Sequence, residues 1–230
     1  MTDPSSIVDA AITSRRSVRA FLPTPVPRAT VERLLDVAAR APSGTNMQPW
    51  TVHAMTGAPL KEFCDKVEGE FLAGGHGQHR EYKYYPDEFF EPYLSRRRQV
   101  GFAMYDLLGI KRGEAEKMKL QHAQNFRFFG APVGLICTID KRLNIGSWLD
   151  YGFFLGNLCT AARGLGLDTI PQAAFASLPD TIRAALGLPE TEAIVCGMAI
   201  GYGDPDAVVN TLHTPRAPAA EFTRFQGFGA

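Results

Sequence analysis

Residues 148–163, WLDYGFFLGNLCTAAR, restrict the fold more than any other stretch, because they are apolar on almost every side at helical spacing. A helix of that kind is expected inside the domain, enclosed by other elements. Asp150 and Asn157 are seven residues apart and so share a face, where a carboxylate and an amide need partners. A chain of 230 residues can build one large domain around such a helix and is rather short for two.

The remaining elements are read around it. Helices are expected over residues 4–12, with Asp3 and Pro4 as cap and first position; over 29–40, with Val31, Leu34, Leu35 and Ala38 on the apolar face; and over 60–72, 93–108 and 114–128. Gly109 fits the end of the fourth. Strands are expected over residues 50–55, 133–139, 167–171 and 193–200. Residues 73–92 hold GGHGQH and an aromatic run, the composition of a lid or binding loop. From Tyr202 onward several prolines and no helical period predict an extended tail. Helices first, then strands alternating with helices, give an α+β domain of three-layer α/β/α build, a small central sheet wrapped by helices.

Lys plus Arg equals Asp plus Glu, so nothing advertises a nucleic-acid or membrane partner. No apolar run approaches the length of a membrane span. The start of the chain lacks a signal-peptide pattern, and Cys64, Cys137, Cys159 and Cys196 form no CxxC pair. A cytoplasmic protein with reduced thiols is expected.

Two clusters carry candidate chemistry. RRSVR places Arg15, Arg16, Ser17 and Arg19 within five residues, three guanidiniums and a hydroxyl suited to an anion. PSGTNMQPW at 42–50 offers Ser43, Gly44, Thr45, Asn46 and Gln48, with free backbone N–H groups, to a polar ring or sugar chain. Each alone is more simply a solvated helix end or an ordinary turn. Together, followed by FFGAPVGLI and the buried segment above, they resemble the nitroreductase family over nearly the whole chain, most of all its nitrobenzoate and nitroaromatic reductases.

The resemblance implies FMN bound at a homodimer interface, NADPH or NADH as electron donor, and a small nitroaromatic or quinone acceptor reduced by ping-pong hydride transfer through flavin N5. It places Arg15 and Ser17 at the phosphate and ribityl chain, Arg16 beside them among the cofactor-binding residues, and Arg19 at the pyrimidine edge. Pro42, Ser43, Gly44, Asn46 and Gln48 match the loop that reaches the flavin from the other subunit. Ala173 and Ala174, after Pro171 and Gln172, match the pair whose backbone lies beside N5, and Arg216 matches a second phosphate-binding arginine. Many relatives carry Glu-Gly in place of Ala173-Ala174; a backbone N–H survives that change and a carboxylate does not. Thr214 stands where relatives often carry another basic residue.

The resemblance leaves reductive dehalogenation, flavin-dependent dehydrogenation and flavin binding without turnover as alternatives. Tyr84, Phe89 and Phe90 are candidates for stacking on a flat acceptor, with packing of the loop an equal alternative. His76 and His79 lack a third ligand nearby, so no metal site is expected. Gly164 and Gly166 complete no dinucleotide fingerprint and fit a helix end instead. The tail over residues 204–230, with Phe222, Phe225 and Phe228 at every third position, is expected to embrace a partner subunit.

Overall fold

A computed structural model describes residues 4–75 and 80–229. The helices are α1 (Pro4–Ser14), α2 (Arg28–Ala38), α3 (Gly57–Leu72), α4 (Tyr93–Leu107), α5 (Ala115–Ala123), α6 (Ile145–Gly164), α7 (Pro179–Leu186) and α8 (Ala219–Phe222). The strands are β1 (Thr51–Thr56), β2 (Val133–Asp140), β3 (Asp168–Gln172) and β4 (Glu192–Gly201). They form one sheet in the order β1-β2-β4-β3, antiparallel throughout.

β2 and β4 are central and buried along nearly their whole length, which is why they read as unbroken apolar runs. Period-two alternation sends Leu135, Cys137 and Ile139 into a cluster under α2 and α6, and Ile136 into another with Phe63 of α3 and Ile182 of α7. The sheet is therefore covered on both faces, as the three-layer expectation requires. Cys137 faces Cys196 while Thr138 faces Ile194, so Val195 is an extra residue in a β-bulge. That bulge returns two neighbours, Val195 and Cys196, to the same side of the sheet.

Several expectations need correction. The helix expected over 114–128 stops at Ala123, and residues 124–130 form a tighter turn. Phe128 and Phe129 there take φ of 48° and 54°, which turns both rings into the core and breaks the helical path. α6 starts three residues before Trp148 and is not enclosed on all sides. Ile145, Leu149 and Phe153 form a stripe at four-residue spacing that is 87%, 63% and 45% exposed. Asp150 and Asn157 each have a partner, as expected. Asp150 accepts from Gly44 N at 3.0 Å, and Asn157 Nδ2 donates to Ala38 O at 3.5 Å. The tail is interrupted by a short turn at Val208–Thr211 and by the single turn of α8. The Asp3 cap and the histidines 76 and 79 lie outside the described residues.

Candidate functional site

The RRSVR segment leaves α1 and lies down beside β3. Ser17 bridges Thr169 in parallel, Phe21 bridges Gly203 in antiparallel sense, and Val18 is fully buried between them. A buried asparagine from the tail fixes the path. Arg19 N donates to Asn210 Oδ1 at 2.8 Å, and Asn210 Nδ2 donates to Ala20 O and Asp204 O at 2.8 and 2.9 Å. The Arg19 side chain is half-buried, and its guanidinium donates to Ser17 O at 3.1 Å. Burial lowers its pKa, although an arginine remains a cation at any physiological pH. Among the described residues no carboxylate balances it.

Arg19 looks into a cavity of about 420 Å³, walled by Ser17, Ile170, Pro171, Gln172, Ala173 and Ala174 and roofed by Tyr82, Tyr84 and Tyr85. Among the described residues no Asp or Glu lines it. Gln172 is 2% exposed; its Nε2 donates to Asn125 O at 2.6 Å, while its Oε1 has no partner. An orphaned buried acceptor is costly unless something in the cavity donates to it. Residues 173–177 form a short turn just after β3, so the first N–H groups of the turn have no acceptor within it. The turn is pressed against the sheet because Gly197 leaves room for Phe175; a Cβ there would lie 2.2 Å from the ring.

The PSGTNMQPW loop is built differently. It sits at the other end of the sheet, against α6, and does not line the cavity. Pro42, Gly44, Asn46 and Gln48 are exposed. Thr45, Asn46 and Gln48 take φ of 49°, 62° and 49°, a left-handed concentration that costs free energy in non-glycine residues. The loop is held by Ser43 Oγ accepting from Gln48 N at 3.1 Å, Gln48 Nε2 donating to Asn46 O at 3.2 Å, and the Gly44–Asp150 bond.

The other sequence candidates divide. Arg15 and Arg16 are half-buried next to Ser17 but do not line the cavity. Arg216 is exposed, bonded to Thr214 and Pro215, in a separate groove beside α4. Tyr84 lines the cavity. Phe89 instead packs against Tyr85 with Arg97 4.5 Å over its ring, and Phe90 packs against Tyr93. Asn210, Asn125 and Glu81 were not singled out from sequence, since an isolated polar residue in a loop or tail belongs to no spacing pattern; Gln172 was matched by the resemblance, which says nothing of its unpaired acceptor. Among the described residues no group of three or more His, Cys, Asp or Glu could hold a metal, and no helix is long and apolar enough to cross a membrane.

Comparison with known proteins places this arrangement. The model of the nitroreductase family matches residues 12–202. A 4-nitrobenzoate reductase from Pseudomonas putida is 43% identical over 220 residues, 96% of either chain. A chloronitrobenzene nitroreductase from Comamonas testosteroni is 36% identical, covering 96% of this chain and 97% of its own. The solved FMN-dependent nitroreductase NfnB of Mycobacterium smegmatis, in complex with NADPH, superposes with a TM-score of 0.92 at 30% identity, covering 97% of this chain and 100% of its own. From Ser17 through the 42–50 loop to Tyr202, the matched span takes in both clusters and the wall of the cavity, and the chain belongs to the nitroreductase family.

Proposed function

We propose that this protein is an FMN-dependent NAD(P)H oxidoreductase that reduces nitroaromatic acceptors, working as a homodimer. The observation that carries the reading is the wall of the 420 Å³ cavity: the unbalanced Arg19 guanidinium stands beside the start of the Ala173–Ser177 turn, and among the described residues no carboxylate lines the space. That donor set fits a flavin. Arg19 would donate to the pyrimidine carbonyl edge and stabilise negative charge there, with Gln172 in the same wall. The N–H groups of Ala173 and Ala174 supply donors for the ring's central nitrogen without any side chain. When bound, FMN accepts a hydride from NAD(P)H and passes it to the acceptor; the chain binds, orients and tunes it. Arg15, Arg16, Ser17 and Arg216 are the residues we assign to the phosphate and ribityl chain.

The dimer is supported by what one chain leaves uncovered. α4 buries no residue along 15 positions. Ile7, Val8 and Ile12 of α1, the α6 stripe and Phe102 of α4 are exposed large apolar side chains, and Phe222, Phe225 and Phe228 of the tail are 72%, 64% and 78% exposed. Exposed apolar surface on that scale marks an interface. In this reading the 42–48 loop completes the site of the partner subunit, and the tail embraces it.

Purified protein should be yellow and dimeric by light scattering. NADPH or NADH should bleach it and a nitrobenzoate should restore the colour. A yellow protein that neither nucleotide bleaches would be a flavin carrier, and colour restored by halophenols but not by nitroarenes would move the activity to reductive dehalogenation.

A further inference from the structure

Residues 81 and 82 take over the edge of β4 where β3 ends. β3 stops at Gln172, opposite Gly197, which leaves the bulged part of β4 without a strand on that side. Glu81 Oε2 accepts from Ile194 N at 2.8 Å, and Tyr82 OH donates to Val195 O at 2.5 Å. The other oxygen of Glu81 meets Arg183 Nη2 at 2.6 Å and Lys141 Nζ at 2.8 Å. Arg183 is itself locked, donating to Pro189 O and to Glu192 O. The Glu81 and Arg183 side chains are both 12% exposed, so this is an enclosed pair with its remaining bonds satisfied rather than a loose surface contact.

What the clasp holds is a partition. A second cavity of about 680 Å³, walled by Trp148, Tyr151, Leu155 and Cys196, lies beside the first. Tyr82, Tyr84, Pro171 and Ala173 line both. The Tyr82 ring is 4.5 Å from that of Trp148 and 6.3 Å from that of Tyr84. Burial raises the Tyr82 pKa, so its phenol stays a donor to the bulge carbonyl. We propose that Glu81 is a positioning residue: clasped by Arg183 and Lys141, it sets Tyr82 and Tyr84 as the wall between the two cavities and so fixes the width of the slot through which a flat aromatic acceptor reaches Ala173. This rests on the nitroreductase reading above.

The test uses the flavin-loaded dimer and three variants: Glu81→Gln, Tyr82→Phe and Tyr84→Ala. Glu81→Gln should raise acceptor KM about fivefold to tenfold with little change in kcat, and most for the narrowest acceptors, since a loosened wall no longer grips them. In a Tyr84→Ala background the same change should add less than about twofold, because the wall it positions is gone. Tyr82→Phe keeps the ring and loses only the bond to Val195; it should raise KM in the same acceptor order by about twofold to threefold, and it serves if Glu81→Gln does not fold. Independently of turnover, trypsin should cut after Lys83 several times faster in Glu81→Gln than in the wild type. Unchanged cleavage, an unchanged acceptor KM, or additive effects of Glu81→Gln and Tyr84→Ala would each overturn the proposal. A wild type with no nitroarene turnover would instead overturn the functional reading, leaving the cleavage assay to judge the clasp.

Discussion

The two segments that resemble one family signature are built in opposite ways. The Ser17–Arg19 segment is sewn into the chain: Val18 is buried, β3 pairs with the backbone, and Asn210 binds it from 191 residues away. The 42–48 loop is displayed: exposed, left-handed at three residues, and tied to the body by the Gly44–Asp150 bond and a contact with α6. A loop that needed only to join α2 to β1 has no use for that strain. Strained, outward-facing polar residues are what a segment looks like when its partner is another molecule. In the proposed dimer, the Arg19 wall belongs to one chain and the 42–48 loop would complete the site of its neighbour.

The severest way to break this contrast is truncation after Gly203. It removes Asn210, which clamps the inner wall, together with Arg216 and the exposed phenylalanines assigned to the partner. Flavin retention and dimerisation should be lost together, read by absorbance after dialysis and by light scattering. A truncated protein that remains yellow and dimeric would mean that the tail serves neither half.

Asn210→Ala separates the two effects. It leaves Arg19 N without its acceptor and Ala20 O and Asp204 O without that donor in a part-buried place, and each such loss costs about 1–3 kcal/mol. We expect about 3 kcal/mol less stability in urea unfolding. The inner wall should suffer while the dimer interface is untouched, so flavin affinity should fall with sizing unchanged at concentrations well above the dissociation constant. A variant as stable as wild type would show that the inner wall is not held from the tail.

Arg15→Ala is smaller and sharper. Loss of one charge-assisted contact to a phosphate should cost about 1.5–3 kcal/mol, or roughly tenfold to a hundredfold in FMN affinity. Unchanged flavin retention after dialysis would remove Arg15 from the site and leave the anion to its neighbours. The same measurement on Arg216→Ala matters more than usual, since in one chain that guanidinium points into the groove beside α4 rather than the cavity of Arg19.

Much of this contrast was readable from residues alone, and the failures have physical causes. β2, β4 and α6 announced themselves because burial on both sides makes long apolar runs. The stripe on α6 was misread as interior because exposed apolar residues at helical spacing look like core in a lone sequence. The reading carried helix through residues 114–128 because the chain continues after Ala123 as a tighter helical turn, with no glycine or proline before Gly130 to mark the change. α7 went unread although Pro179 at its start and Gly187, at φ 64°, just past its end were fair signals. The arginines and the polar loop stood out by local density. Gln172 and Asn210 gain meaning only from which atoms are left unpaired or bridged across the chain, and no linear pattern encodes that.

Asp150→Ala probes the displayed half with the smallest expected effect. It removes the bond to Gly44 N and little else, because Asp150 makes no ion pair among the described residues. A single exposed hydrogen bond is worth about 1 kcal/mol. Its loss frees the loop to relax from the left-handed geometry at Thr45, Asn46 and Gln48, which should barely trouble the folded chain. The cost should therefore appear in assembly: a dimer dissociation constant raised about fivefold, with urea stability of the subunit at fixed high concentration nearly unchanged. If the loop were an ordinary turn the result would invert, with subunit stability down by that same amount and the dissociation constant unmoved. Dilution series by light scattering, run beside urea titrations, separate the two, and only the first pattern is compatible with a loop shaped for the neighbouring subunit.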